Sequence, residues 1–488
     1  MKRLLLVLLM CAPCWSVDFV STWTTTAIDQ TVTLPLYSGG TYNFTVDWGE
    51  GAGDQTVTTY NDADASNVYD TANTWTVTIA GTIQGWRFNN GGSDTKLTTI
   101  TAWGDLQLGN LGHYFEGCTN LATLPTSGSL NITGTTTLAS MFEDCASLTD
   151  PNLSSLDTSS VTDMSYMFDD CDAFVSPDLS VLDVNSVTTM YMMFRSCSSL
   201  SSPDFTGWDT GSLITATYMF QLCPSLNNPG VADFDMADVT SAGYMFANCT
   251  GMTTFAASAW DMSSCTSLTN VFDGCTTLAT VDIDNWTLNT SATNATQMFN
   301  DCRVLVDASI PEAWDTSAIT NMANMFYNCD ALVSPNFSAW DVNSVTTMIY
   351  MFQNSGNLVS PNISTWDVSA VTTMYGMFWG CTSIIEPQVE DWIIPLVGRM
   401  DKMFEGATLT TATYDEMLIN WAAQAPSIQS SVPFHAGAST TYSTGSPTEA
   451  RLILTDTYSW IITDGGSAGT PYPGDSGPAE WWWRRRHN

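Results

Sequence analysis

The fold predicted by this 488-residue sequence is a β-rich solenoid of about twelve 26-residue coils. A β-sandwich-like domain precedes it and a small α/β cap follows. Two observations carry the prediction. A phenylalanine, preceded by Met or a similar residue, returns at Phe115, Phe142, Phe168, Phe194, Phe220, Phe246, Phe272, Phe299, Phe326, Phe352, Phe378 and Phe404, always 26 or 27 residues apart. Within a unit, the apolar residues follow neither a sustained period of 3.6 nor one of 2. A coil of this length cannot bury its apolar face alone, so it must stack on its neighbours.

One unit shows the columns. In the stretch Cys197 to Phe220 the apolar positions are Leu200, Phe205, Trp208, Leu213, Tyr218 or Met219, and Phe220. Pro203 and the abundant Ser, Thr, Asn and Gly rule out a long helix. A short strand is expected near Leu200 to Phe205, and a second extended piece carries Val187 and Met190. The Met-Phe pair belongs on a tight or single-turn helical corner. Stacked coils of this kind lie about 4.8 Å apart.

Composition narrows the function. There are 49 acidic and 12 basic residues, for a net charge of −37, yet only 12% of residues are charged. The acidity therefore reflects missing Lys and Arg. Between residues 17 and 480 only seven bases face all 49 acids. Nucleic-acid binding needs clustered cations and is excluded as an expectation. Hydrophobic residues make up 44%, enough for a large core.

Residues 1–16 read as a signal peptide. Lys2 and Arg3 precede the apolar run Leu4 to Met10, and Cys14-Trp15-Ser16 offers a cleavage site before Val17. Lipidation of Cys11 or Cys14 is the alternative. No later segment has eighteen consecutive apolar residues. Residues 466–488 read as a flexible Gly/Ser/Pro-rich linker ending in Trp481, Trp482, Trp483, Arg484, Arg485 and Arg486. Trp and Arg favour a membrane interface, so the tail is a candidate anchor or sorting tag for membrane or cell-surface attachment. An inert tail is the plain alternative.

Residues 17–97 contain the alternating runs Thr31 to Leu36, Tyr42 to Val46 and Thr76 to Ile79. Residues 409–465 form the expected cap, with an amphipathic helix over Tyr414 to Ala423. Ten cysteines stand three residues after the marker aromatic, from Cys118 to Cys381, and Cys265 sits in a core column. One Cys per coil in a fixed column reads as a buried thiol ladder whose side chains point the same way, which is poor disulfide geometry. Disulfides and metal binding are the alternatives.

Two polar columns are candidate sites. Asp157, Asp183, Asp209, Asp235, Asp261, Asp315, Asp341 and Asp367 recur once per coil. Structurally, each would accept backbone N–H bonds from the next turn, as in an Asx-turn, and fix a corner. Stacked carboxylates repel, so Ca²⁺ between coils, held by Asp183 to Asp367, is the functional alternative. No other cofactor is implied. The second column holds Asn152, Asp178, Asp204, Asp282, Asn336 and Asn362. It is either a solvated face or a long polar surface for a ligand. His113, His435 and His487 are far apart, and no phosphate loop or nucleophile motif appears. An enzyme is not expected, although the plentiful acids leave a carboxylate pair open.

The pattern W-D-x-S-x-V-T-x-M-x-x-M-F-x-x-C-x-x-L resembles the leucine-rich repeat of BspA-like proteins, the DUF285 repeat of bacterial surface proteins. It stands here as Trp340-Asp341-Val342-Asn343-Ser344-Val345-Thr346-Thr347-Met348-Ile349-Tyr350-Met351-Phe352 and recurs from Trp366 to Cys381. The likeness covers residues 98–408. Leu156 and Leu182 replace Trp in early coils, Thr287 replaces Asp, and Ser355 and Ala407 replace Cys. Asp47-Trp48-Gly49-Glu50-Gly51 resembles the turn of PKD-like β-sandwich modules, which places such a module at 17–97. The resemblance implies a leucine-rich-repeat-type solenoid. It also implies a secreted, surface-associated, non-enzymatic adhesin for an extracellular protein or glycan. A structural spacer or surface-layer component anchored through the tail is the alternative.

Overall fold

Each coil turns its corner at the marker phenylalanine. Two left-handed residues four apart flank that Phe in all twelve coils, among them Tyr166 and Asp170, Tyr218 and Leu222, Asn324 and Asn328, and Gly376 and Gly380. The second seat holds Asn, Asp or Gly in ten of the twelve coils, the residue types that visit this region at least cost. At Gly380 a Cβ would also come 2.6 Å from Asn354 Oδ1. The chain thus reverses around the Met-Phe pair and drives both side chains inward.

The computed structural model describes residues 18–473, except 150, 152, 155, 290–292 and 313. The signal segment, the Trp/Arg tail and Asn152 lie outside the described residues. Two compact units divide the chain. The first contains the residues up to Val161, with Asp170–Ala173 and Val181–Asp183. The second contains Thr162–Asp169, Phe174–Ser180 and everything from Val184 onward.

In the first unit, strands β1 (Phe19–Thr24), β3 (Thr41–Asp47), β4 (Gln55–Val57), β6 (Thr74–Gln84) and β7 (Leu97–Ala102) form a sheet in the order β4-β3-β6-β1-β7. All of these pairings are antiparallel. β2 (Gln30–Thr33) pairs with β5 (Ser66–Tyr69). Phe19, Trp23, Phe44, Val77 and Trp86 are buried inside. The Asp47 to Gly51 segment leads from β3 toward β4, with Gly49 and Gly51 at positive φ.

β7 belongs to two patterns at once. One edge pairs antiparallel with β1, while Thr99 bridges in parallel to Thr123 of the first coil. Likewise β8 (Leu106–Gln107) pairs parallel with β6, and Gln107 bridges to Asn131. The sheet therefore supplies the donors and acceptors that an open solenoid end would leave unpaired.

In the second unit the coils stack through single parallel bridges more than through long strands. Thr189, Thr215, Ser241, Ser267 and Asn294 bridge in succession, and so do Asn321, Thr347, Thr373 and Arg399. The Phe rings from Phe168 to Phe404 form a column with centroids 5.3–5.8 Å apart, tilted by at most 13°. Each such pair contributes about 0.5–1.5 kcal/mol beyond its burial.

The stacking runs on beyond the marked coils, and the described turns number about 15. Met400 bridges to Phe434, and Pro433–His435 pairs parallel with Ile461–Thr463. Helix α1 (Thr411–Ala422) packs Tyr414, Met417, Leu418 and Trp421 into the core, and the Thr410 side chain caps its N-terminus. Helix α2 (Ser446–Leu452) follows. Arg451 and the Tyr414 hydroxyl both donate to Asp464. Ser467–Pro471, expected as linker, is a strand pairing with Tyr442–Thr444.

The Cys column is a ladder of buried thiols that form no disulfides among the described residues. From the second coil on, each thiol of the column donates to the carbonyl of the marker Phe one coil back. Examples are Cys197 to Phe168, Cys223 to Phe194 and Cys249 to Phe220, each at 3.0 Å. Where Ser355 replaces Cys, its hydroxyl makes the same bond to the Phe326 carbonyl at 2.9 Å. The Trp column repeats the device. The indoles of Trp208, Trp260, Trp286, Trp340, Trp366 and Trp392 donate to carbonyls of the preceding coil at 2.8–3.1 Å. Burial pushes the Cys249 thiol well above its usual pKa, so it stays protonated and keeps donating. Cys249→Ser retains the donor and is expected to cost less than about 1 kcal/mol, whereas Cys249→Ala removes it and leaves a void at about 1–3 kcal/mol. Chemical denaturation of the full chain measures the difference, and equal losses would refute the donor role.

Candidate functional site

Every Asp of the first column lies exposed at a coil corner. At Asp157, Asp209, Asp235, Asp261, Asp315, Asp341 and Asp367, Oδ1 accepts the backbone N–H two residues on. Ser159 donates to Asp157, Gly211 to Asp209, Ala237 to Asp235, Ser263 to Asp261, Ser317 to Asp315, Asn343 to Asp341 and Ser369 to Asp367, at 2.9–3.2 Å. This is the Asx-turn, closed within a single coil. Asp183 shares the column, and its backbone N–H and C=O both bond the Thr158 hydroxyl at 2.8 Å. Thr210 and Thr316 bond the backbone of Asp235 and Asp341 in the same column.

Where the residue two positions on is Ser or Thr, its hydroxyl can join the N–H on the carboxylate. The Ser159 hydroxyl and then its N–H hold Asp157 below the usual carboxylate pKa. Ser317 and Ser369 do the same for Asp315 and Asp367.

The second column divides. Asp178 and Asp204 are joined by a backbone bridge between neighbouring coils, and each holds the hydroxyl and N–H of Ser180 or Thr206. The Thr206 hydroxyl and N–H lower the Asp204 pKa. Asp282 is exposed in the strand Thr280–Asp282. Asn336 and Asn362 are half-buried and joined by an amide hydrogen bond of 2.5 Å. The first three face water, while the Asn336 oxygen also accepts the N–H and hydroxyl of Ser338.

No three carboxylates of the Asp column converge as metal ligands among the described residues. The group that does converge is His113, Glu116 and Glu143, with ligand atoms within 4.8 Å of one another. Sequence reasoning passes over His113 because no second His lies near it. The signal is the Glu placed directly after the marker Phe in two successive coils.

A polar groove of about 760 Å³ lies in the first unit, lined by Asp105, Gln107, Asn131, Thr133, Asp157 and Ser160 among others. Asn131 accepts the Thr133 N–H at 3.0 Å, as the column Asp residues accept theirs. The groove is therefore built from the repeating corner itself. A further row escapes the sequence reading. Tyr166, Tyr191, Tyr218 and Tyr244 are half-buried at successive corners, with ring centroids 4.7–5.7 Å apart. Farther on, the Arg399 guanidinium lies 4.0 Å over Tyr375 and Lys402 lies 3.9 Å over Trp379.

The corner hydrogen bonds predict a pH dependence. The folded pKa values of Asp157, Asp204, Asp315 and Asp367 are depressed. Their contribution is present above the unfolded value of about 3.9 and is lost as pH falls through the folded values. Melting temperatures measured between pH 6 and pH 2 are expected to fall less steeply below pH 4 for Ser317→Ala with Ser369→Ala than for the unsubstituted chain. Identical slopes would remove these bonds from the account.

No curated protein matches the chain. A leucine-rich cell surface protein from Faecalibacterium prausnitzii A2-165 is similar in structure at 14% identity and a TM-score of 0.31, over 87% of this chain and 94% of that one. The model of the family described as "Mycoplasma protein of unknown function, DUF285" matches residues 88–203, 136–258, 219–311 and 293–417. These matches take in the repeated corner from the first coil to the last, and the chain belongs to the DUF285 family.

Proposed function

We propose that this chain is a secreted, surface-displayed, non-enzymatic binding protein, an adhesin that uses its solenoid for protein or glycan contacts. One observation carries the reading. The same exposed polar corner is presented coil after coil, at Asp209, Asp235 and Asp261 and again at Asp315, Asp341 and Asp367. Identical weak contacts at fixed spacing add through effective concentration and need no deep pocket. The groove supports the non-enzymatic part, because its Asp157 belongs to the repeating column. Corner Ser, Thr and Asn side chains offer hydroxyls and amides to a glycan or a polar protein surface.

Full-length protein applied to glycan and protein arrays is expected to retain a ligand through many weak contacts. Substituting Asp209, Asp235 and Asp261 together by Ala should weaken retention far more than any one substitution. Failure to retain any ligand, on arrays or on cells, would overturn the adhesin reading. Anchoring is tested separately by deleting residues 479–488. Release of the protein into the medium supports attachment through Trp481 to Arg486, and unchanged localisation removes it.

A further inference from the structure

We infer that His113, Glu116 and Glu143 form a binding site for a divalent first-row transition ion, with Zn²⁺ as the probe. This site is independent of the adhesin reading. It rests on the column directly after the marker Phe, which holds Glu116, Glu143, Asp169, Arg195, Gln221, Ala247, Asp273 and Asn300 in successive coils. Two acids of this column show how the fold compensates a carboxylate there. Asp169 is fully buried and takes a two-pronged bond from Arg195 of the next coil at 2.7–3.1 Å. Asp273 is held by the amides of Asn270 at 2.9 Å and Asn300 at 2.5 Å.

At Glu116 the group supplied is an imidazole. His113 Nδ1 lies 2.8 Å from Glu116 Oε2. His113 occupies the first left-handed seat of its corner, φ 57°, three positions before Glu116. Register with the next coil brings in the third member. Phe115 N–H donates to the Met141 carbonyl and Gly117 N–H to the Glu143 carbonyl, both at 2.9 Å. Glu143 therefore lies beside Glu116. The His113 and Glu116 side chains are 34% and 13% exposed, so the cluster is sheltered yet open on one side.

The donor set selects the ion. One imidazole nitrogen and two carboxylates suit zinc-like ions, and the two negative charges match a divalent cation. Ca²⁺ takes six to eight oxygens, which three such side chains do not supply. Tetrahedral zinc bonds of about 2.1 Å put neighbouring ligand atoms about 3.4 Å apart. To reach that spacing, the 2.8 Å His113–Glu116 pair opens by about 0.6 Å and the wider pairs, all within 4.8 Å, close by about 1.4 Å at most through rotation of the Glu side chains. A bound ion would tie the first coil to the second.

The test uses metal-free full-length protein titrated with ZnCl₂ by calorimetry at pH 7, with thermal melts alongside. His113→Asn is the informative variant, since Asn adopts the left-handed seat and keeps an amide toward Glu116 but is a poor zinc ligand. Glu143→Gln is the second. The unsubstituted chain is expected to bind one more Zn²⁺ equivalent than either variant and to gain several degrees in melting temperature that both variants lose. Equal zinc equivalents and equal thermal gains in all three proteins would overturn the site.

Discussion

Everything in the coils depends on one interval. A side-chain donor reaches a backbone carbonyl 29 or 30 residues earlier, one coil back and a few residues along. The thiol of Cys197, the hydroxyl of Ser355 and the indole of Trp340 all do this. A carbonyl at a tight corner faces the neighbouring coil, where water is excluded, and leaving it unpaired there is costly. The Cys and Trp columns answer that cost with groups that are otherwise apolar, so pairing and core packing are achieved by the same atoms. The Phe column between them keeps the coils in register, because a slip of one residue would remove the donors and the ring stack together.

Much of this is legible in the residues. The interval of 26 or 27 gives the coil, the absence of a 3.6 period excludes long helices, and one Cys per coil points to parallel thiols that do not form disulfides with one another. The reason for those thiols becomes legible only with Ser355 making the bond of a Cys. Bridges between single residues, such as Thr215 with Ser241, cannot be read from a sequence whose alternation is too short to mark a strand. The strand Ser467–Pro471 escapes for a related reason. Its Gly and Pro signal a loop, and only the exposed edge at Tyr442–Thr444 recruits it.

The polar columns show the same division. Their Asx-turns follow from spacing, since an Asp at a corner with a small residue two positions on readily closes this turn. What spacing does not reveal is which column faces water along its whole length. Asp178, Asp204 and Asp282 are exposed, whereas Asn336 and Asn362 are half-buried and share an amide hydrogen bond across two coils. The cluster at His113 joins residues from two coils. His113 and Glu116 flank Phe115, and Glu143 follows Phe142 one coil on, so the three meet through stacking and not through any local motif.

The left-handed frame around each marker Phe has a consequence for how such a chain changes its length. Residues 140 and 144, 297 and 301, and 324 and 328 keep the same separation although these coils follow their neighbours by 27 residues and not 26. The added residue is absorbed elsewhere in the coil, and the corner does not register it. Because the stacking contacts refer to the coil before or after, duplicating or deleting a whole unit restores the same contacts at the new junction. Reach therefore becomes a quantity that recombination can adjust in whole steps, without any new core having to be invented.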